Sequence, residues 1–398
     1  MADRCVDILV VGGGLTGAAL MLALQTSGFS TLLVESNAFT DDKAQSFDAR
    51  SLALSPASQQ IFKMLDVWSL LEKDATAIDT IHVSEQQSFG STRLHRDTTP
   101  LGYVVEMQHI SRALYQVLNL DHILAPARLI ALDPMEGLAT ITCPSGETIV
   151  RSRLIVAADG TRSSIRTLCG LTATTKIYPQ HALVTNIGLA RPHQQVAYER
   201  FTPTGPLALL PMTGLRSSLV WALSPADAKR MLELPERDFL HQLQLAFGYR
   251  LGRFIRSGQR AIYPLQQVLM PEQVLGRVVF IGNAAHTLHP VAGQGFNLGL
   301  RDVAMLAQCI VHQGLDSDML KRYQASRHHD QQSIAYFTDG LIELFTRKIP
   351  GLRLARLGGM LALDTIPALK KELTRYARGY AGTIPDLVCG IPLNAKEL

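Results

Sequence analysis

Hydrophobic residues near the amino terminus form short unbroken runs, and the first is followed at once by glycines. Asp7–Val11 reads Asp-Ile-Leu-Val-Val and Thr31–Glu35 reads Thr-Leu-Leu-Val-Glu, with helix-forming residues at 17–25 between them. Short apolar runs of this kind are typical of strands buried in a parallel sheet. The pattern therefore predicts a βαβ unit in which Gly28 ends the helix and Glu35 lies at the tip of the second strand.

The same buried-strand pattern returns at Leu154–Ala158 and Val278–Ile281, so one sheet is expected to collect strands from distant parts of the chain. The segments between these strands have a different hydrophobic pattern. Residues 76–105 and 172–275 alternate with period two and contain turn residues such as Thr202–Pro206. We expect these segments to form a second, mainly antiparallel sheet.

The predicted fold is α/β, with two interleaved domains followed by helices. A nucleotide-binding domain is expected to cover residues 1–75, 106–171 and 276–330. A mainly antiparallel substrate domain is expected to cover 76–105 and 172–275. The helical pattern after Asn297, first over 299–312, continues into a C-terminal helical region, 331–398, with breaks at Pro350, Pro367 and Pro385.

Composition narrows the function classes. The 398 residues are 47% hydrophobic and carry a net charge of only +4. Basic residues interleaved with aromatics do not occur in a block, so nucleic acid is not an expected partner. The five scattered cysteines form no Cys-x-x-Cys pair, and the histidines form no cluster at ligand spacing, so neither a metal site nor a disulfide framework is expected. Without a basic leader or a long apolar run, a cytoplasmic location is predicted.

The first glycine motif follows a predicted strand and precedes a predicted helix. In Gly12-x-Gly14-x-x-Gly17, the first glycine permits a tight turn, the second lets main chain approach a pyrophosphate, and the third allows close helix packing. Glu35 follows about twenty residues later, where a carboxylate can accept ribose hydroxyls. We predict a dinucleotide site at Gly12, Gly14, Leu15, Thr16, Gly17 and Glu35; the alternative is a structural turn. The motif alone does not distinguish NAD from FAD.

A second glycine-rich loop lies almost the whole chain length away. From Gly282 to Asn297 an apolar strand feeds a loop that opens a helix, as in anion-binding helix starts. Ordinary turn chemistry is the alternative, but two such corners favour one large ligand touched by both. Asp159–Arg166 is a third segment after a strand, and it fits an Asp-Gly turn with a serine cap equally well.

These segments resemble a known family. Asp159-Gly160-x-x-Ser163-x-Ile165-Arg166 is similar to the second fingerprint of the aromatic-hydroxylase flavoproteins, and 282–297 is similar to their third. Asn283 stands where that fingerprint has aspartate; its amide keeps hydrogen-bonding capacity but lacks the charge. The loop 289–302 resembles the ubiquinone-biosynthesis flavin hydroxylases, closest to those acting on 2-polyprenyl-6-methoxyphenol. Further similar segments are Asp48–Leu54, Leu101–Glu106, Gly205–Pro211 and Tyr263–Leu265.

The resemblance implies an FAD-binding, Rossmann-like domain of the glutathione-reductase and aromatic-hydroxylase type. It implies FAD as cofactor, NADPH or NADH as electron donor, and O2 as co-substrate, activated at flavin C4a before one oxygen passes to a polyprenylated phenol. Amides of the helix start would stabilise negative charge on the flavin, and the Pro290 carbonyl would face the reacting ring. The implied cofactor residues are Arg50, Asp159, Gly160, Arg166, Asn283, Pro290, Gly293, Gly295, Phe296 and Asn297.

Several alternatives stay open for individual residues. His286 and His289 are candidate bases or structural histidines, and Tyr263 is either a substrate contact or a buried aromatic. Arg50 is either a cofactor contact or a surface residue. The apolar and basic run 349–357 is either an interfacial helix that contacts the inner face of the plasma membrane or a helix docked on protein.

Three further functions compete with hydroxylation of this phenol. One is a related hydroxylase that acts at another ring position of the same pathway, and another is a flavin-dependent prenyl reductase or dehydrogenase. The third is a non-catalytic flavoprotein within a ubiquinone-biosynthesis complex. The oligomeric state is left open.

Overall fold

A computed structural model describes residues 3–38, 50–88, 90–346 and 352–393 of the chain. The described residues form three β-sheets and eleven α-helices. The strands are β1 Arg4–Val11, β2 Thr31–Val34, β3 Ser51–Leu54, β4 Thr76–Ile78, β5 Thr80–Glu85, β6 Ser91–His95, β7 Gly102–Glu106, β8 Ile123–Leu124, β9 Arg128–Asp133, β10 Leu138–Cys143, β11 Gly146–Ala157, β12 Thr174–Leu189, β13 Val196–Thr202, β14 Gly205–Met212, β15 Arg216–Leu223, β16 Phe254–Ser257, β17 Ala261–Leu269, β18 Val274–Leu275, β19 Val278–Phe280 and β20 His286–Thr287.

The helices carry the connections between these strands and the C-terminal part of the chain. They are α1 Leu15–Ala23, α2 Pro56–Met64, α3 Trp68–Leu71, α4 Met107–Val117, α5 Ser164–Leu168, α6 Pro225–Glu233, α7 Glu236–Phe247, α8 Gln294–Gln313, α9 Ser317–Thr346, α10 Leu352–Thr365 and α11 Pro367–Ala377. Helix α8 begins five residues before the predicted start, because Gly293 in a left-handed conformation opens it directly after the glycine loop.

The eight-stranded sheet has a parallel centre in the order β19, β11, β1, β2 and β8. Val10 pairs with Val156 on one side and with Leu33 on the other, and all three side chains are buried. Helices α1, α4 and α8 cover one face of this sheet, and residues of β9, β10 and α5 cover the other, so its central strands are apolar on both faces, as their sequence pattern predicts. The carboxyl ends of β1, β11 and β19 lie side by side and carry the three glycine-containing loops.

The nine-stranded sheet runs in the order β20, β17, β12, β15, β14, β13, β5 and β6, with β16 added to β12. Its pairs are antiparallel except for β13 with β5. Its outer face packs on α6 and α7, and its inner face packs on Val291 and on Ile342 and Phe345 of α9. The predicted α/β class with a second, mainly antiparallel sheet is confirmed.

A small third sheet, β3-β7-β4, joins the two large ones. Its strands β4 and β7 come from the segment 76–105, or overlap it, whereas β5 and β6 of the same segment belong to the nine-stranded sheet. The domain boundaries drawn from the sequence stay predictions.

The C-terminal segment returns to the main body of the molecule. Leu387 and Val388 pack in the same core cluster as α1 and α8. Arg356 of α10 pairs with Glu85 at 3.1 Å, and its side chain is only 11% exposed. This contact favours a docked helix for the run 349–357, of which residues 349–351 lie outside the described residues. No helix in the described ranges has the length and apolar character needed to cross a membrane.

Candidate functional site

The first glycine corner is built by main-chain contacts that admit no side chain. Gly12 has φ +108°, and a Cβ atom there would lie 2.4 Å from the carbonyl oxygen of Ala158. A Cβ atom on Gly17 would lie 2.0 Å from the carbonyl oxygen of Gly12. Since real contacts of this kind are far longer, both positions require glycine. The turn after β1 is thereby held against the end of β11.

Gly14 differs from its neighbours because nothing lies within 4 Å of the place where its Cβ would be. It is the N-cap residue of α1, and no side chain caps that helix. Leu15 and Thr16 form the first turn, so their amide groups have no partner within the helix. The start of α1 is therefore open and electropositive, as a pyrophosphate-binding corner requires.

Glu35 lies beside this corner at the end of β2, as predicted. Its Oε2 accepts a hydrogen bond from the Gly13 amide at 2.7 Å, and its Oε1 accepts one from the Asn37 amide at 2.8 Å. The Tyr115 hydroxyl donates to the Gly13 carbonyl, a contact that the sequence did not reveal. Burial raises the pKa of Tyr115, so this hydroxyl keeps its proton. The carboxylate is fixed within reach of a ligand lying along α1.

The segment Asp159–Arg166 forms the capped turn that the sequence allowed. Ser163 accepts a hydrogen bond from the Arg166 amide at 3.0 Å and caps α5, and Asp159 Oδ2 accepts one from the Ser164 amide at 2.8 Å. The other oxygen, Oδ1, is buried and has no hydrogen-bond partner among the described residues. Gly160 has φ +84° with open space around it. An unpaired buried acceptor here fits a group that a ligand would supply.

Arg166 is engaged within the protein. Its Nη2 donates to the Thr161 carbonyl at 2.8 Å, and its Nη1 donates to the Ala284 carbonyl at 3.1 Å. The guanidinium therefore connects the segment Asp159–Arg166 to the glycine-rich loop that begins at Gly282. This is a structural role beside the cofactor role that the resemblance implied.

The first glycine corner, Gly12–Gly17, is in contact with the third glycine corner, which begins at Gly282. Gly282 has φ +56°, and a Cβ atom there would lie 2.9 Å from Cγ2 of Thr16. A Cβ atom on Gly299 of α8 would lie 3.3 Å from Cα of Gly282 and 3.5 Å from Oγ1 of Thr16. The expected convergence of glycine corners from the two ends of the chain is confirmed.

The start of α8 is the second open helix start. Gly293, in the left-handed region, is its N-cap residue and provides no side-chain cap. Nothing lies within 4 Å of the Cβ position of Gly295. The amides of Gly295 and Phe296 thus belong to an uncapped first turn, where the helix dipole favours negative charge.

Asn297 has a different role from its amide neighbours, because its buried side chain makes four hydrogen bonds. The amide nitrogen donates to the carbonyl oxygens of Ala53 at 2.9 Å and Gly293 at 2.8 Å. The amide oxygen accepts from the Ser55 amide at 2.8 Å and the Ser58 hydroxyl at 2.7 Å. Asn297 therefore fixes the glycine loop to the end of β3.

Two further predicted residues are exposed. Asn283 is exposed in the turn Gly282–Ala284, and its carbonyl accepts from the Thr287 hydroxyl at 3.3 Å. Arg50 is exposed just before β3, with its carbonyl oxygen accepting from the Met107 amide at 2.8 Å. Asp48, from the segment quoted with Arg50, lies outside the described residues.

A buried carboxylate accepts a hydrogen bond from the main chain of the third glycine corner. Asp302 of α8, fully buried, accepts hydrogen bonds from the Gly282 amide at 3.0 Å, His286 Nε2 at 2.5 Å and Arg327 Nε at 2.8 Å. Burial alone would raise the pKa of Asp302, but His286 and Arg327 outweigh it and hold that pKa well below its usual range. This role is not predicted from the sequence, although a charged pair within an apolar helix is a visible signal.

The ion pairs continue to the C-terminal part of the chain. Arg327 Nη1 pairs with Asp330 at 2.5 Å, and Arg301 Nη1 pairs with Asp330 at 3.1 Å and donates to the Ala381 carbonyl at 3.3 Å. Together these residues form a buried charge cluster: Arg301, Asp302, Arg327 and Asp330. Two positive and two negative charges balance within it, so it links the glycine loop to α9 without a net charge.

A cleft lies between the third corner and the inner face of the nine-stranded sheet. Its sheet side is mostly small and apolar, and its other side is the loop after β20. The lining residues are Ala182, Glu199, Pro206, Ala208, Val220, Ala222, Leu265, His289, Pro290 and Val291. Tyr263 is absent from this lining and is 42% exposed, so the interpretation as a buried aromatic is wrong.

The loop residues of the cleft are held by their own hydrogen bonds. His289 Nδ1 accepts from the Val291 amide at 3.2 Å, while Nε2 is buried with no partner among the described residues. Burial lowers the pKa of His289 to about 4, so its ring is neutral near pH 7. The Pro290 carbonyl accepts from the Gly293 amide at 3.1 Å. That carbonyl closes its own turn, whereas the resemblance implied that it faces the reacting ring.

The arrangement suits FAD. The glycine corners present two uncapped helix starts, open space at Gly14 and Gly295, and the Glu35 carboxylate. A family model described as "FAD binding domain" matches residues 5–338. The chain belongs to this FAD-binding family. Within the described ranges, His, Cys, Asp and Glu residues form no group of three or more that could hold a metal ion.

Two relatives place the chain in a smaller group within this family. The chain is 36% identical over 407 residues to the ubiquinone hydroxylase UbiL of Rhodospirillum rubrum, covering 98% of this chain and 94% of the relative. It is 30% identical over 398 residues to the 3-demethoxyubiquinol 3-hydroxylase of Escherichia coli, covering 95% of this chain and 100% of the relative. The predicted membership of the ubiquinone-biosynthesis flavin hydroxylases is confirmed.

Solved structures show the same fold at lower identity. The p-nitrophenol 4-monooxygenase PnpA of Pseudomonas putida superimposes with a TM-score of 0.77 at 17% identity, covering 95% of this chain and 99% of that chain. PqsL of P. aeruginosa, in complex with 2-aminobenzoylacetate, gives a TM-score of 0.75 at 20% identity, covering 90% of this chain and 100% of that chain. At such identities the likeness shows the fold alone.

Proposed function

We propose that this protein is an FAD-dependent monooxygenase that hydroxylates a polyprenylated phenol of the 2-polyprenyl-6-methoxyphenol type in ubiquinone biosynthesis. NADPH or NADH would supply the electrons and O2 the oxygen atom. The observation that carries the proposal is the small, mostly apolar cleft that His289, Pro290 and Val291, just before α8, line on one side. The names of the two relatives support the substrate class.

The glycine corners would hold the cofactor. The first turn of α1 would face the pyrophosphate, Glu35 the adenosine ribose, and the first turn of α8 the flavin edge where negative charge develops. When bound, FAD supplies the transfer of one oxygen atom from O2 to the ring. The chain itself supplies placement and the exclusion of water.

Small side chains on the sheet side of the cleft would make room for the ring. Ala182, Ala208 and Ala222 come from three strands, and each points to the inner face. Apolar walls exclude water and leave few polar groups to orient the substrate, which is typical of sites for flat aromatic ligands. This composition supports a phenol in preference to a charged substrate.

The source of the inserted oxygen tests the proposal. The purified holoenzyme is incubated with NADPH, the prenylated phenol and isotopically labelled O2, and the product is analysed by mass spectrometry. We expect one labelled oxygen atom in the product, and faster NADPH oxidation when the phenol is present. Label that arrives only from water, or a product that has gained or lost hydrogen alone, would exclude hydroxylation and favour a reductase or dehydrogenase.

The position of hydroxylation needs a separate experiment. Strains that each lack one ring hydroxylation of ubiquinone synthesis are complemented with this chain. Growth restored in one strain identifies the ring carbon, because related hydroxylases at neighbouring positions are expected to share the same cofactor motifs.

We also propose that the surface formed by α10 and α11 contacts a membrane. Leu361, Ile366 and Leu369 are 64%, 45% and 46% exposed, and Lys370 lies beside them. Exposed apolar and basic residues on adjacent helices suit the interface of an anionic bilayer. Leu361→Glu with Leu369→Glu should abolish co-sedimentation with anionic liposomes, and Ile255→Glu, on a distant strand, should not. Equal binding by all forms would refute this contact and favour a protein partner.

A further inference from the structure

One ionisable side chain stands on the apolar sheet side of the cleft. Glu199 lies on β13, where it pairs with Ala208 of β14 and Val83 of β5. Because alternate residues of a strand share a face, Glu199 points to the same side as Phe201, which packs in the inner-face core. The sheet residues that line the cleft with it carry no charge.

Glu199 has no hydrogen bond or ion pair among the described residues, unlike the nearest acid on this face. Glu85, two residues further along β5 than Val83, pairs with Arg356 at 3.1 Å. Glu199 is half-buried, and an unpaired carboxylate in an apolar wall is destabilising. Acids whose pKa is perturbed in a cleft cluster at functional sites.

Burial raises the pKa of Glu199 to about 7, and no neighbouring charge contributes. The carboxyl group is therefore poised between its two protonation states at physiological pH. A proton acceptor works best when its pKa lies near the working pH.

The opposite side of the cleft carries a complementary group. His289 is 1% exposed and neutral, and because Nδ1 accepts a hydrogen bond, Nε2 carries the ring proton. That N–H has no partner among the described residues. The cleft thus holds an unpaired acceptor on the sheet and an unpaired donor on the loop, with Pro290 beside the donor.

We propose that Glu199 is the catalytic base that receives the hydroxyl proton of the phenol in the cleft. The proton moves from the phenol oxygen to the Glu199 carboxylate, and the O–H electron pair stays on that oxygen. The products are a phenolate and a neutral carboxylic acid, so charge is conserved. The phenolate ring is richer in electrons and accepts an oxygen atom more readily. This inference rests on the proposed hydroxylation of a phenol.

The other titratable groups around the cleft are few. On the loop there is His289, and on β12 there is Tyr178, whose hydroxyl donates to Asp339 of α9 at 3.0 Å. Lys176 pairs with that same aspartate at 2.6 Å. Strands β14, β15 and β17 present only apolar residues to the cleft. We therefore expect kcat/KM to rise through about pH 7 as Glu199 ionises.

The test compares the wild-type holoenzyme with Glu199→Gln. The first readout is the fluorine NMR shift of bound 4-fluoro-2-methoxyphenol, which reports how strongly the phenol hydroxyl is hydrogen-bonded. We expect this shift to change through about pH 7 in the wild type, as Glu199 ionises and accepts the phenol hydrogen bond, and to stay constant from pH 6 to pH 8 in the variant. The second readout is kcat/KM for the prenylated phenol, which should fall by about 10²-fold in the variant and lose its rise with pH.

Two further variants complete the design. Glu233→Gln removes an exposed carboxylate on α6, behind the outer face of the same sheet, and should match the wild type in both readouts. Glu199→Asp should restore the pH-dependent probe shift in part, because it returns a carboxylate at a slightly greater distance. The melting temperature of Glu199→Gln should be no lower than that of the wild type, since the change removes an unpaired, half-buried acid.

The outcomes separate two failures. A Glu199→Gln enzyme in which the probe shift and kcat/KM still change through about pH 7 overturns the role of Glu199. A wild-type enzyme that shows the pH-dependent probe shift but hydroxylates no prenylated phenol overturns the proposed substrate and leaves the base assignment supported. The NMR readout needs no turnover, so it does not depend on the electron donor.

Discussion

The two sides of the candidate site are built differently. The glycine corners consist of main chain, with contacts such as that between Gly12 and Ala158 that exclude any side chain. The cleft consists of side chains from five strands and one loop. Main-chain contacts demand glycine at fixed spacing, and that demand is visible in the sequence. Side-chain clusters collected across strands leave no comparable spacing.

The glycine corners also depend on side chains, because the buried charge cluster supports one of them. Asp302 accepts from the Gly282 amide and belongs to the buried charge cluster. Asp302→Asn would leave that cluster with an excess positive charge in a buried place. We expect a loss of about 3 kcal/mol in the free energy of unfolding, measured with urea on the apoprotein. Weaker FAD binding should accompany it, because Gly282 loses its anchor.

The matched control is Asp318→Asn, which removes the same group from an exposed pair with Lys321 at 3.1 Å. This change should alter stability by less than about 0.5 kcal/mol. Equal effects of the two substitutions would show that the glycine corner does not depend on the buried charge cluster.

The effect of Asp302→Asn on the free energy of unfolding should depend on pH. The pKa of Asp302 is depressed in the folded protein, so its stabilisation is fully present above the unfolded pKa of about 4 and is lost as pH falls towards the folded value. The difference in unfolding free energy between wild type and Asp302→Asn should be constant near pH 6 and shrink below about pH 4. A difference that grows on acidification would contradict the assigned ion pairs.

The smallest effect is expected at Asn283, on the rim of the site. Its side chain is exposed, so Asn283→Asp adds one negative charge without changing the packing. We expect the dissociation constant of FAD to change by less than tenfold, which corresponds to less than about 1.4 kcal/mol. Asn283→Ala separates the hydrogen bond from the charge. A change of a hundredfold or more would mean that this position controls cofactor binding.

Much of the fold could be predicted because its signals are local. The apolar runs at β1, β2, β11 and β19 and the glycines after them predicted a parallel sheet whose loops meet. The turn at Thr202–Pro206 appears as the hairpin between β13 and β14. These features depend on neighbouring residues, which a single sequence displays.

The roles of Glu199 and Asp302 could not be predicted, because they depend on strands and helices far away in the chain. Glu199 is followed by Arg200, which reads as an ordinary solvated pair in the sequence. Only the register of β13 shows that the two side chains point to opposite faces. Likewise, the partner of Asp302 is Arg327 on the next helix, and no spacing rule relates them.

The most direct test of the account is a calorimetric titration of the apoprotein with FAD, in the wild type and in Gly14→Val. The backbone of Gly14, with φ −64° and ψ −179°, accepts any residue, and open space surrounds it, so the variant should fold and melt like the wild-type apoprotein. We predict one FAD bound per wild-type chain and binding at least a hundredfold weaker in the variant. Equal affinity in both proteins, or no binding by either, would contradict the claim that the glycine corners hold the cofactor.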